Sequence, residues 1–417
     1  FPSVAVGWSF SEEPFIKRLT GGWLNWGKIR GSYGKSGQTF TSAYLAHGLM
    51  NIMDKSFFGK TGITTDKPVS PYLTWEKTRQ YDLGLDMDMF NYRLNVKLDY
   101  YYKYTSSLIY DIPIPGSLYA FGAQVENAME ISNEGLELEL QADILRESAV
   151  SWRMKFNMAR NWNRFEKSYS GKDVVDGDGT LLVAGRPLNG LYVWAHRGYY
   201  NSDAEVPRLY KIDGQEIYFN GVATNGISGA VGDYRLLDLD GDGNPDSYYA
   251  GSPLPLAHGG WVNELMWKNF DLNVLVNFTI GRKMINNRMG LGFSRQSEDG
   301  HLTKLFDYRK LRPWDGVNKK PNAPAWGNSL SMNTDSAIEK VHHLALKQIT
   351  LGYNLPDRIS KKAGLSGVRF FLTAENLFYL SNYSGGNPEV VNIYTGRDNG
   401  DTYPLPRKYT LGLTLNF

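Results

Sequence analysis

The chain has 417 residues, of which 42% are hydrophobic, and 45 Lys+Arg against 43 Asp+Glu give a formal net charge of +2. A charge this close to zero creates no broad field that would gather nucleic acid. The absence of Cys excludes a disulfide framework and a cysteine-based zinc site, and the apolar runs are far shorter than the roughly 18 residues of a membrane helix.

The aromatic and glycine content is unusual for an ordinary soluble domain. The sequence contains 27 Tyr, 19 Phe and 11 Trp together with 44 Gly, a pairing that favours β-structure. No Pro/Ser/Gly-rich linker divides the chain. It begins Phe1-Pro2-Ser3 with no Met and no leader-like segment, so we expect a piece of a longer polypeptide.

Alternation of apolar and polar residues recurs along the whole chain and predicts β-strands, because successive strand side chains point to opposite faces. One clear example covers 270–280, and we expect its apolar row to face lipid. That row consists of Phe270, Leu272, Val274, Val276, Phe278 and Ile280. In chain order the predicted strands lie near residues 2–10, 25–37, 75–89, 92–104, 131–144, 150–166, 256–267, 269–281, 341–354, 367–378 and 407–417.

The predicted connections alternate between short and long. Short turns fall at Asn91, 145–149 and Lys268. The long segments are 38–74, 105–130, 167–255, 282–340 and 379–406. Outer-membrane barrels have short periplasmic turns and long extracellular loops, and strands of this length can cross a bilayer. The pattern therefore predicts an all-β, antiparallel transmembrane β-barrel.

About 11 strands cannot form a complete barrel of this kind. A sheet in hydrocarbon with two open edges would leave backbone groups unpaired, at several kcal/mol each, so only closed barrels are stable there. We therefore expect that another stretch of protein supplies the remaining strands, and that 1–417 is part of a larger wall.

The last residues of the chain resemble the signature that the outer-membrane assembly machinery reads. Alternate positions there are apolar and the final one is aromatic; they are Tyr409, Leu411, Leu413, Leu415 and Phe417. Further motifs resemble the SusC/RagA family of TonB-dependent transporters from Bacteroidota. They are Leu73–Thr78, Ser132–Glu137, Gly232–Arg235 with Asp238–Gly243, Ile349–Pro356, Ala374–Phe378 and Tyr383–Glu389, where Asn387 stands in place of the more usual Asp.

This resemblance covers essentially the whole chain and implies an architecture and a set of partners. Residues 1–417 would form the C-terminal half of a 22-stranded plugged barrel in the outer membrane, with the plug and TonB box outside this chain. The implied partners are a SusD-like surface lipoprotein, the TonB complex through the plug, the N-terminal half of the barrel, outer-membrane lipid, and an oligosaccharide or peptide substrate. The implied activity is active nutrient import.

An aspartate-rich segment in the connection 167–255 resembles the opening of a calcium loop. Oxygen-bearing side chains stand at alternate positions around Gly243, which permits a turn; they are Asp238, Asp240, Asp242, Asn244 and Asp246. The twelfth position is Tyr249, where an EF-hand has a bidentate Glu. The segment is compatible with a Ca²⁺ site and equally with a solvated turn.

The same connection carries the aromatic residues Trp194, Tyr199 and Tyr200, which we expect to be exposed, where they would grip sugar or peptide or pack against a partner lipoprotein. Two rival functions remain open. One is a soluble or surface calcium-dependent glycan-binding β-protein, and the other is a glycoside hydrolase that uses Glu137 and Glu139. Because these two acids also suit a water-filled lumen and no nucleophile or nucleotide motif is present, we predict no catalytic residues and no enzyme.

Overall fold

A computed structural model describes most of the chain. The described residues are 1–39, 50–57, 59–65, 68–115, 122–175, 181–206, 208–210, 216–218, 231–241, 246–287, 312–317, 320–325, 333–392, 394–399 and 403–417. They form two compact units. The first contains Phe1–Leu188 and Gly259–Asn273, and the second contains Asn189–His258 and Val274–Phe417.

All eleven strands predicted from alternation are present, and we label them β1–β11 in chain order. They are β1 Ser3–Trp8, β2 Leu24–Gln38, β3 Glu76–Met89, β4 Leu94–Pro113, β5 Ala123–Leu145, β6 Val150–Lys167, β7 Ala257–Trp267, β8 Phe270–Asn286, β9 Ile338–Asn354, β10 Gly367–Ser381 and β11 Lys408–Asn416. Consecutive strands pair antiparallel from β1 through β6 and from β9 through β11.

The long connection predicted at 105–130 is largely strand, which is the main correction to the predicted boundaries. β4 continues to Pro113 and β5 begins at Ala123. Ser107 has a φ of 60°, and the β4–β5 register shifts between Thr105 and Leu108. This bulge breaks the alternation by which the strand end was predicted. β8, β9 and β10 also run a few residues beyond their predicted limits.

Short elements occupy the connections. Paired short strands are Met50–Phe57 with Lys60–Thr65, Val174–Val175 with Leu181–Leu182, Leu191–Trp194 with Ser247–Gly251, His196–Tyr199 with Tyr234–Leu236, and Arg208–Tyr210 with Glu216–Tyr218; Arg397–Asp398 runs parallel to the end of β8. The α-helices are α1 Pro14–Thr20 and α2 Asp357–Ser360. The 3-10 helices are Phe10–Glu12, Asp203–Glu205, Asp335–Ala337, Lys361–Ala363 and Pro388–Val390. No helix of the described part has the length and apolarity to cross a membrane.

In the first unit, β1–β7 are neighbours in chain order. The β3–β4 hairpin turns through Phe90, Asn91 and Tyr92, whose φ values lie between 56° and 61°. The β7–β8 hairpin turns at Lys268, with a φ of 53°. Left-handed residues of this kind produce the tight turns that match the twist of antiparallel strands, and they confirm the short connections predicted at these places.

One face of the first unit is apolar and exposed. On β3 the apolar side chains of this face are Tyr81 and Leu83, with Lys77 and Arg79 nearer the long connection; all four are exposed and alternate with half-buried residues, and Leu83 is 56% exposed. The face continues onto the neighbouring strands at the level of Leu83. The residues in line with Leu83 are Val6, Gly31, Tyr100 and Leu136, and the line ends at Arg160 on β6. An apolar face this extensive is unstable in water and fits the predicted contact with acyl chains.

Aromatic pairs stand beside two of the tight hairpins. Trp23 stacks on Phe90 with 6.1 Å between ring centroids, and Trp267 stacks on Phe270 at 6.2 Å. All four rings are exposed. Amphipathic rings at strand ends suit the level of lipid headgroups.

In the second unit, β9, β10 and β11 are antiparallel neighbours. The apolar alternate residues of β11 are all exposed, and Leu411 is 80% exposed. In the row of β8 that we predict to face lipid, Phe270 and Ile280 are exposed, Leu272, Val274 and Phe278 are half-buried, and Val276 is 7% exposed. Small cores form around Met284 and Val341 and around Leu191 and Ile285.

A glycine on the polar face of β5 allows a tyrosine to lie across the strand. Tyr101, Gly135 and Asn161 are directly opposite one another on β4, β5 and β6, and the Tyr101 hydroxyl donates to Asn161 Oδ1 over 2.9 Å. A Cβ on Gly135 would lie 2.5 Å from the Tyr101 ring. The missing side chain therefore leaves the space that the ring fills.

We expect Gly135→Ala to destabilise the folded protein by about 1–3 kcal/mol, because the added methyl displaces the Tyr101 ring and breaks its hydrogen bond. The measurement is the urea midpoint of the full-length protein, followed by heat-modifiable gel mobility. Gly31→Ala is the matched control, since the nearest atom to a Cβ there is 3.9 Å away. Equal midpoints for the two variants would contradict this packing.

We expect Leu83→Arg to impair membrane assembly, because a cation that faces the acyl chains loses its hydration, at a cost that rises to about 2–4 kcal/mol at the bilayer midplane. Gln80→Arg is the control on the opposite face of β3, where Asp82 accepts two hydrogen bonds from Gln80. Its yield of folded, membrane-inserted protein should stay near that of the wild type. If the two variants assemble equally well, the assignment of the apolar face to lipid is wrong.

Candidate functional site

The polar face of the first unit carries a ladder of ion pairs. Arg30 on β2 contacts two carboxylates, with Nε 2.9 Å from Asp86 Oδ2 and Nη2 2.5 Å from Asp99 Oδ1. Farther along the strands, Lys155 on β6 lies 2.8 Å from Glu264 on β7. Charges of both signs thus alternate across neighbouring strands, an arrangement suited to a wet surface and to polar ligands.

Glu137 and Glu139 belong to this polar face and not to a pocket. Both side chains are exposed, and Glu139 lies 3.9 Å from Lys97 Nζ. The general acid of a glycosidase depends on a desolvated site that keeps it protonated. The exposure of both acids therefore favours the lumen interpretation over the hydrolase alternative.

The three predicted ligand-binding aromatics belong to a small folded region of the second unit. Tyr199 stacks on Tyr234 with 5.4 Å between centroids, and Tyr234 is almost completely buried. Trp194 is half-buried, and its backbone N–H donates to Asn333 O over 2.7 Å. Tyr200 is only 4% exposed, so the expectation that its ring is available to a ligand is wrong: it packs inside the region and shapes it.

Hydrogen bonds tie this aromatic region to the segment before β9. The Ser336 hydroxyl donates to the Tyr234 hydroxyl over 3.0 Å, and the Tyr248 hydroxyl donates to Asp335 Oδ2 over 3.2 Å. His196 contacts the other oxygen of Asp335. Burial raises the pKa of the Tyr199 and Tyr234 phenols, so both stay neutral at physiological pH. The result is a rigid support for the surface around it.

Three of the five predicted metal ligands come together. One carboxylate oxygen each from Asp238, Asp240 and Asp246 lies within 4.8 Å of the others. Asp242 and Asn244 lie outside the described residues. Backbone N–H groups orient the carboxylates: Leu239 N–H donates to Asp246 Oδ2 and Gly241 N–H donates to Asp238 Oδ1, both over 2.6 Å. Three convergent carboxylates are the oxygen ligands that Ca²⁺ prefers.

Tyr249, at the twelfth position of this segment, takes a different role from the ligand of an EF-hand. It lies in the short strand Ser247–Gly251 directly opposite Tyr192, and the two rings are 5.7 Å apart. The twelfth position therefore lies in a paired strand, where an EF-hand has its bidentate acid. Any cation bound here would be held by the aspartates alone.

A buried polar cluster that could not be predicted from the sequence lies where 382–392 and 394–399 pack against β8 and β9. Lys347 Nζ is 3.0 Å from Glu389 Oε2, and the Tyr383 hydroxyl donates to Asp398 Oδ2 over 2.6 Å. His343 is buried and His342 is exposed, because neighbours on one strand point to opposite faces. The Tyr383–Glu389 motif was visible in the sequence. Its partners Asp398 and Lys347 lie elsewhere in the chain, so the motif alone could not show the cluster.

Asn387, the departure from the family pattern, still performs a capping role. Its side-chain oxygen accepts from Glu389 N–H over 2.9 Å at the start of the 3-10 helix Pro388–Val390. An asparagine caps as well as an aspartate. Beside it lies a cavity of about 420 Å³ whose polar lining includes Lys347, Asn376 and Arg407. Asn376 adopts a φ of 52° where two residues of β10 oppose one of β9.

Comparison with known proteins places the fold in a family. A protein-family model described as "TonB dependent receptor-like, beta-barrel" matches residues 1–249. TonB-dependent receptor P26 of Formosa agariphila is 31% identical, and TonB-dependent receptor SusC of Bacteroides thetaiotaomicron is 27% identical. Both alignments cover 100% of this chain, which spans 42% and 40% of the two relatives.

A solved structure shares the fold. The structure of the RagAB peptide transporter matches with a TM-score of 0.78 and 23% identity, over 100% of this chain and 43% of that one. The relatives bear the names of receptors and transporters. Proteins with this barrel lie in the outer membrane, which excludes the soluble form of the calcium-dependent glycan-binding alternative. With more than half of its length matched by the family model and all of it by these relatives, the chain belongs to the TonB-dependent receptor-like β-barrel family and is an outer-membrane protein.

Proposed function

We propose that the chain supplies the C-terminal half of a 22-stranded, plugged barrel that imports glycan or peptide oligomers across the outer membrane. The observation that carries this proposal is the contrast between the two faces of the same strands. Leu83 and Tyr81 are exposed on the apolar face, and Arg30, Asp86 and Asp99 are ion-paired on the polar face. When the barrel closes, the polar face lines an aqueous lumen.

The polar face suits a hydrophilic oligomer and provides no apparatus for bond cleavage. Acids and bases alternate on it, and hydroxyl and amide groups such as Tyr101 and Asn161 lie between them. These groups form hydrogen bonds with hydroxyls or amides of a cargo without reacting with it. We therefore propose a transporter in which this chain makes and breaks no bond.

Energy and capture would come from partners. A plug outside this chain would contact the TonB complex, and a SusD-like lipoprotein would cover the side of the long connections. Support for the second partner comes from the second unit, where the apolar side chains of Leu239 and Val317 are exposed. Exposed apolar side chains on a rigid region are typical of protein contacts. Trp194 and Tyr199 would support that surface or border the cargo.

We also propose that Asp238, Asp240 and Asp246 bind Ca²⁺, with Asp242 and Asn244 as further ligands. The convergence of three carboxylates within 4.8 Å supports this proposal. A bound cation would neutralise their mutual repulsion and fix the segment that joins Leu236 to Tyr248. Calcium would then act as a structural element of the long connection, with no part in transport chemistry.

The import proposal predicts loss of uptake when the full-length gene is deleted. Cells with and without the gene are given fluorescent oligosaccharides and oligopeptides of several lengths, and internalised label is measured. We expect the uptake of one chemical class of oligomer to fall at least tenfold in the deletion strain and to recover when the gene is restored. A protonophore should abolish the same uptake, since TonB coupling uses inner-membrane energy. Unchanged uptake of every oligomer, or uptake that survives the protonophore, would contradict active import.

The calcium proposal predicts binding by the full-length protein with a Kd of about 10⁻⁴–10⁻³ M, the range of extracellular modules. Calorimetric titration with CaCl₂ should show at least tenfold weaker binding for Asp238→Asn/Asp240→Asn. Asp203→Asn is the control, because Asp203 is exposed in the same connection outside the cluster. Chelation should also increase proteolysis of the wild type near this segment. Equal heats for the double variant and the wild type would exclude the site.

A further inference from the structure

Two basic side chains lie next to each other on the exposed face of the first unit, near the long-connection ends of β2 and β3. Lys35 on β2 is directly opposite Arg79 on β3, and both side chains are exposed. Farther along the same row, Tyr104 contacts Glu130 and the buried Ser132 donates to Glu166, so the basic character does not extend across to β6. We call Lys35 and Arg79 the basic row.

The pair formed by Lys35 and Arg79 is electrostatically unfavourable by itself. Directly opposite residues on antiparallel strands have Cβ atoms about 4.5–5.5 Å apart, and like charges there destabilise the pairing. Lys77 adds a third cation two residues from Arg79 on the same face. Among the described residues, none of these three side chains forms an ion pair with a carboxylate. An external anion would relieve the repulsion.

The residues next to the basic row indicate what kind of anion fits. One step along the same face, Tyr33 lies opposite Tyr81 with 4.8 Å between ring centroids. One further step brings Leu83, which is exposed. Side chains on one face of a strand are about 6.7 Å apart along it. The charged pair, the tyrosine pair and Leu83 therefore follow one another at intervals of about 6.7 Å.

This order matches the order of groups in a membrane lipid. Tyrosine rings prefer the boundary between headgroup and acyl chain, which places Leu83 against the acyl chains and Lys35 and Arg79 at the level of the phosphate. Arg offers a planar fork that binds phosphate with two hydrogen bonds, and Lys adds a compact charge. A soluble anion would gain nothing from the adjoining tyrosines and leucine.

We propose that Lys35 and Arg79, with Lys77 beside them, bind the phosphate of an anionic lipid headgroup in the leaflet on the side of the long connections. The acyl chains of that lipid lie along Tyr81 and Leu83. The barrel wall thus carries a specific lipid site on its outer face, separate from the polar face that would contact cargo.

The test measures lipid binding by the purified full-length protein. Dioleoyl phosphatidylglycerol in detergent micelles is titrated, and retained lipid is counted by native mass spectrometry, with dioleoyl phosphatidylcholine as the zwitterionic comparison. We expect preference for phosphatidylglycerol in the wild type. Lys35→Gln/Arg79→Gln should weaken its binding about 30-fold, because each basic residue at a membrane surface contributes about 1 kcal/mol. Lys35→Gln alone should weaken it about fivefold.

The matched control removes the same number of charges from the other face. Lys97→Gln/Lys103→Gln changes two cations of β4 that are on the polar face, where Lys97 is near Glu139 and Lys103 is near the Tyr101 ring, and it should leave phosphatidylglycerol binding unchanged. Heat-modifiable mobility confirms folding of each variant, and the single variant serves if the double one does not fold. Equal lipid affinity of variant and wild type, or an equal loss in the control, would overturn the proposal.

Discussion

The pairing of every backbone amide and carbonyl in a place without water is the constraint on which the rest of this structure depends. Long antiparallel strands meet it by hydrogen bonding to both neighbours, as β4 does with β3 and β5 over most of its length. Once pairing fixes the strands, their two faces are free to meet different surroundings. The side chains then divide into an exposed apolar face and an ion-paired polar face, and that division supports the transporter proposal.

The strands themselves could be predicted from sequence because alternation follows directly from backbone geometry. Asp82 and Leu83 point to opposite faces because they are neighbours on one strand. This alternation can be recognised without knowing which strand pairs with it. The rule fails where the ladder shifts. Ser107 interrupts the alternation without ending β4, so the strand continued beyond its predicted end.

The connections were less predictable because their contacts join residues far apart in the chain. The exposure of Tyr200 depends on what packs against it, and its backbone bonds to Asp233 and Gly232. The polar contact between Lys347 and Glu389 likewise spans 42 positions. The aspartate segment was easier, since its carboxylates are close in sequence and the spacing alone brings Asp238 near Asp246.

The buried tyrosine core of the long connection has a consequence for how proteins of this kind diverge. Tyr234 and Tyr199 stabilise that region through their own contacts, and its residues Leu191 and Val193 also share a core with Ile285 of β8. A substitution in either core would therefore disturb both the region and the strands that it contacts, so we expect sequence differences between relatives to concentrate on the outer surface of the region.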